Sequence, residues 1–147
     1  MNACKRMKPV AELAQQQADA AAQSVAECSR VCTDIQKQLD ELLSYRDDYA
    51  NGLCDKGRTG LNAIQIKDYR LFLVRLNKAI EQQQLVLNSA AARLAASRQV
   101  WVEKQQHAKA IDSVVGRYQQ EEQRERSRRD QHESDEHAQR MRRSQYR

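Results

Sequence analysis

Cys28 and Cys32 stand one helical turn apart, and two thiolates at that spacing can supply half of a tetrahedral zinc site. No third or fourth ligand lies near them in the sequence, and both fall on an apolar stripe, so they read as core thiols. His132 and His137 are five residues apart, on different faces of a helix, and Glu133, Asp135 and Glu136 around them read as a solvated face. The sequence holds no glycine-rich phosphate loop, Ser/His/Asp set or HExxH motif. No catalytic, cofactor-binding or metal-binding residue is therefore assigned, and the chain is expected not to be an enzyme. What remains is a cluster suited to binding. Tyr69, Phe72, Leu76, Ala79 and Gln83 recur three and four residues apart, and Gln38, Leu42, Tyr45 and Tyr49 do so on an earlier segment. Aromatic anchors of this kind form the centres of protein-binding surfaces. A second account of the same residues is that they thicken a helical core where its repeat slips between Leu42 and Tyr45.

The elements that must carry these residues are helices. The chain has 147 residues, of which 40% are hydrophobic and 31% charged, with a mean hydropathy of -0.90. One Pro and four Gly leave almost no helix breakers. Ala11, Ala14, Ala18, Ala21, Val25, Cys28, Cys32, Ile35, Leu39 and Leu42 alternate three and four residues apart, a 3.5-residue repeat that identifies a coiled coil. The same spacing returns at positions 69, 73, 76, 80, 83, 87, 90, 94, 97, 101, 104, 108, 111, 115 and 118, where only Gln83, Ser97 and Lys104 are not apolar. Between the two runs lie Asn51-Gly52 and Asp55-Lys56-Gly57-Arg58-Thr59-Gly60, which is turn chemistry.

The expected fold is all-α: a long antiparallel two-helix coiled-coil hairpin with an overhanging C-terminal helix. It forms a single domain, with a first helix over 8–52, a turn over 53–60, a second helix over 61–118 and a charged, helical or partly disordered tail over 119–147. A hairpin closing near residue 57 pairs positions whose numbers add to about 114, such as Leu42 with Phe72, Tyr45 with Tyr69 and Leu13 with Trp101. The second helix then lacks an intramolecular partner beyond roughly residue 106. Ile111, Val115 and Tyr118 continue the seam there and are expected to bind another protein.

Charge is divided between the arms. The formal charge is +5 overall, but residues 11–52 carry three basic against eight acidic side chains and residues 53–118 carry eleven against five. Arms of opposite sign attract each other when paired, which accounts for the distribution without a polyanion. Nucleic acid is not an expected partner, and a parallel leucine-zipper arrangement conflicts with the central turn. No stretch approaches the ~20 apolar residues of a membrane span. Four Cys without an export signal point to reduced thiols in the cytosol.

At Gln38-Leu39 with Leu42, Tyr45 and Tyr49, at Asp68-Tyr69-Arg70-Leu71-Phe72 with Leu76, and at Lys78-Ala79-Ile80-Glu81-Gln82, the chain resembles the FliJ family of bacterial flagellar export proteins. The resemblance continues through Trp101-Val102-Glu103-Lys104 and Asp135-Glu136-His137-Ala138-Gln139-Arg140 and spans nearly the whole chain. It implies a stalk-like coiled coil, similar to that of the rotary ATP synthase gamma subunit, seated in the ring of the export ATPase FliI. It further implies contact with the export gate FlhA through Gln38, Leu42, Tyr45, Tyr49, Phe72, Leu76 and Ala79, with Gln83 on the same face. The ATPase regulator FliH and export chaperones are further partners implied by the same machinery, as is a cytoplasmic location peripheral to the inner-membrane export apparatus. Two other roles fit the same architecture: a chaperone for export cargo, and the stalk of a virulence type III secretion system.

Overall fold

The computed structural model describes residues 3–147. It consists of two α-helices packed against each other, α1 over Ala3–Thr59 and α2 over Ala63–Gln145, with no strand among the described residues. The apolar repeat is the reason. All ten seam positions of α1 from Ala11 to Leu42 are buried or half-buried, which removes their apolar surface from water at about 25 cal/mol per Å². On α2 fourteen of the fifteen expected seam positions are likewise covered. The exception is Lys104, which is exposed while Gln105 is half-buried, so the seam steps by one residue there.

The reversal is shorter and later than the sequence implies. α1 runs through the segment expected to turn, 53–60, and ends at Thr59. Gly60 then takes the left-handed conformation, φ 96°, that a side chain would oppose. Asn62 opens α2 with a reciprocal cap: the Gln65 N–H donates to Asn62 Oδ1 at 2.8 Å, and the Asn62 N–H donates to Gln65 Oε1 at 3.2 Å. Gly52 and Gly57, which read as turn residues, are helical instead. At the other end α1 begins at Ala3, ahead of the expected residue 8, with Pro9 inside its second turn. The charged tail is helical to Gln145, and every residue from 123 onward is exposed.

The chain divides into two compact units. In the unit Ala20–Trp101, Leu39, Leu76 and Ala90 are buried between the helices. Gln83 Nε2 donates to Gln38 Oε1 at 3.1 Å and Arg46 Nη1 to Asn77 Oδ1 at 3.4 Å, so paired positions add to about 121 instead of 114. Arg46 and Asp47 are neighbours within α1, and Glu125–Arg129 and His132–Glu136 are contacts one turn apart within α2.

The other unit contains residues 3–19 and Val102–Arg147. Its core is Ala14, Ala18 and Ala108, with Ile111 packed against them. The Cys4 N–H donates to Glu122 Oε1 at 3.3 Å. This corrects where the expected overhang begins: α1 reaches as far along α2 as Glu122, so Ile111, Val115 and Tyr118 are half-buried rather than unpartnered, and the overhanging part of α2 is its exposed stretch from 123 to Gln145. Two causes combine, the later reversal and the earlier start of α1. Leu13, expected opposite Trp101, is 55% exposed.

Candidate protein-binding site

Four aromatic rings meet in the unit Ala20–Trp101. Tyr45 and Tyr49 are one turn apart on α1, and Tyr69 and Phe72 one turn apart on α2, so the two pairs share the same stretch of the interhelical seam. Tyr49 is the centre: its ring lies 4.4 Å from Phe72 and 4.8 Å from Tyr69, centroid to centroid. Tyr45 stands edge-on to Phe72 at 6.0 Å and is 6.3 Å from Tyr49. Such pairs add about 0.5–1.5 kcal/mol each beyond area burial. Tyr49, Tyr69 and Phe72 are half-buried, whereas Tyr45 is 52% exposed. The cluster therefore has a packed base and an open ring.

The eight expected site residues fall on this surface to different depths. Leu76 is buried, Leu42, Tyr49, Phe72, Ala79 and Gln83 are half-buried, and Gln38 and Tyr45 are exposed. Gln38, Leu42, Tyr45 and Gln83 line one shallow depression of about 460 Å³ together with Glu41. The Gln83–Gln38 hydrogen bond joins two of these lining residues, from α2 to α1. Leu76 belongs to the interhelical core, so it supports the surface from below.

The sequence missed one participant. Lys56 Nζ lies 5.4 Å from the Tyr69 ring centroid, a cation–π arrangement. Reading 53–60 as a turn removed Lys56 from the seam; the 3.5-residue step from Tyr49 through Leu53 to Lys56 was the signal that would have kept it. Hydrogen bonding to Tyr69, then the field of Tyr69 and Tyr49, holds the Lys56 ammonium above its usual range. Partial burial first, and then the neighbouring Tyr69 and Tyr45 hydroxyls, push the Tyr49 phenol up. Both groups keep their protons at neutral pH, so the surface is aromatic and hydrogen-bonding, with one fixed cation.

Cys28 and Cys32 are half-buried free thiols, and no three His, Cys, Asp or Glu side chains gather into a metal site among the described residues. Nor is any described helix long and apolar enough to cross a membrane.

The sequence is similar to those of known proteins. Over 111 residues the chain is 29% identical to a flagellar FliJ protein of Salmonella typhi, covering 76% of each chain. Over 106 residues it is 30% identical to a flagellar FliJ protein of Escherichia coli (strain K12), covering 72% of each. The profile of the family described as "FliJ: Flagellar FliJ protein" matches residues 3–147. A chain matched over that span and folded as two long helices belongs to the FliJ family.

Proposed function

We propose that this protein is a non-catalytic component of the bacterial flagellar protein export apparatus that binds the export ATPase FliI and the export gate FlhA and couples ATP hydrolysis to export. One observation carries the gate-binding part: Tyr45 stands 52% exposed at the edge of a cluster whose Tyr49 and Phe72 rings lie 4.4 Å apart. An exposed aromatic has few rotatable bonds to order when a partner covers it, which is the property of a binding hot spot. Gln38, Leu42, Tyr49, Phe72, Leu76, Ala79 and Gln83 complete the gate surface, the buried members by supporting it.

Coupling requires contacts that differ between states of the ATPase ring, since a stalk bound equally to every state would shift nothing. The exposed charged helix from residue 123 onward supplies side chains of both signs for such contacts. The protein acts in the cytoplasm at the membrane-embedded gate, with the ATPase regulator FliH and export chaperones as neighbours. The test is direct. Purified protein is expected to raise FliI hydrolysis and to bind a soluble FlhA fragment; failure of both ends the proposal, and capture of export cargo in their place would favour a chaperone.

A further inference from the structure

Gly52 and Gly57 sit in the last turns of α1 without a structural reason to be glycine. Neither has a positive φ, and a Cβ at either would meet nothing within 4 Å. The chain reversal falls to Gly60, and α2 is started independently by the Asn62–Gln65 cap. What the two glycines do is weaken the helix, by about fivefold each in its helix–coil equilibrium relative to Ala. Little else holds this segment: Leu53 is its one half-buried side chain, and residues 54–60 are all exposed. The hydrogen bond from Thr59 Oγ1 to the Lys56 carbonyl is local to the segment, and the polar tie that leaves it is the one from Lys56 to Tyr69. Yet the segment carries Lys56, the cation over one face of Tyr69.

From these observations we infer that residues 52–59 are a hinged cap over the tyrosine cluster, which opens as a unit at Gly52 and regulates access to Tyr69. Opening costs the Leu53 contact and the Lys56–Tyr69 interaction. It leaves the Tyr49–Phe72 stack intact, because Tyr49 precedes the hinge. The cap is a property of the free chain and holds whether or not the exposed rings bind the export gate.

Hydrogen exchange on the full-length protein tests the hinge, and tyrosine nitration tests the access. Amides of residues 53–59 are expected to exchange with one common opening constant, with protection stepping up sharply before Gly52. The double variant Gly52→Ala/Gly57→Ala should slow that exchange about 30-fold. It should also slow nitration of Tyr69 several-fold relative to Tyr146, which is 93% exposed and serves as the internal standard. A smooth gradient of protection from residue 59 back toward 39 would mean ordinary fraying and would overturn the hinge. Unchanged Tyr69 nitration in the slowed variant would overturn its control of access. Both substitutions favour helix, so loss of fold does not confuse the result. Binding of an FlhA fragment enters neither measurement, so the hinge and the gate-binding proposal fail separately.

Discussion

Replacing Tyr45 with Ala separates a binding surface from a core, and the comparison that sharpens it is Phe72→Ala. Phe72 is half-buried, its ring 4.4 Å from Tyr49. Removing roughly 100 Å² of buried ring at about 25 cal/mol per Å², together with one stacked pair, should destabilise by about 3 kcal/mol. Tyr45 is 52% exposed and touches its neighbours only at 6.0 and 6.3 Å. Its loss removes less contact, and Ala returns about 0.5 kcal/mol of helix propensity, so the net cost should stay under about 1 kcal/mol. Urea unfolding followed by circular dichroism at 222 nm measures both values. Binding of a soluble FlhA fragment, by calorimetry or fluorescence anisotropy, should fall at least 30-fold for Tyr45→Ala, equivalent to about 2 kcal/mol at ~1.4 kcal/mol per tenfold. Phe72→Ala should thus lose stability, whereas Tyr45→Ala should lose binding with stability nearly kept. Tyr45→Ala binding within threefold of the parent, or losing helicity in step with affinity, would refute the assignment of Tyr45 to the gate surface.

Other substitutions probe the architecture. Gly60→Ala places a side chain at φ 96° and should cost about 1–2 kcal/mol in urea unfolding, while Gly57→Ala should stabilise by up to about 1 kcal/mol. Asn62→Ala removes the reciprocal cap of α2 and should cost about 1 kcal/mol by the same measurement. Ala18→Leu overpacks the alanine core of its unit and should cost about 1–3 kcal/mol, seen as lost hydrogen-exchange protection over residues 3–19. The raised pKa values of Tyr49 and Lys56 mean that the folded state holds both protons more tightly than the unfolded chain, whose reference values are 10.0 and 10.5. Their contribution to stability is complete below about pH 10 and is lost as pH rises through the folded values. A spectrophotometric titration at 295 nm should show one late tyrosine, absent in Tyr49→Phe.

The repeat of Ala11 through Leu42 and its return after Tyr69 made the two-helix seam legible, because a 3.5-residue spacing has one stable use in water. The aromatic cluster was legible for the same reason: the change of register from 114 to 121 is one whole heptad, about two turns, which sets Tyr49 against Phe72 in place of Tyr45 against Tyr69 and keeps the four rings together. The error of register moved Ile111, Val115 and Tyr118 from beneath the start of α1 into the overhang, which begins only beyond Glu122. Its source was local. Gly52 and Gly57 have the composition of a turn, and a helix interior accepts each at about 1 kcal/mol when the chain on both sides is already helical. Only Gly60 shows the backbone conformation a turn needs, and residue type alone does not distinguish it from the other two.

The unit Ala20–Trp101 also shows why a binding cluster and a core can be the same residues. A two-helix seam has no third layer, so even its central side chains keep one flank near solvent; Tyr49 and Phe72 pack with their rings tilted by 40° and remain half-buried. Exposed ring surface is the unsatisfied remainder of that packing, and a partner that covers it completes a desolvation the fold began. Polar side chains on the same seam limit unwanted association: Gln38 and Gln83 satisfy each other across the helices and border the depression beside Tyr45 with amides instead of methyl groups. Under the proposed gate-binding role a partner has to match both the rings and the amide pair, and Gln83→Leu should admit apolar competitors by replacing that polar edge with hydrocarbon.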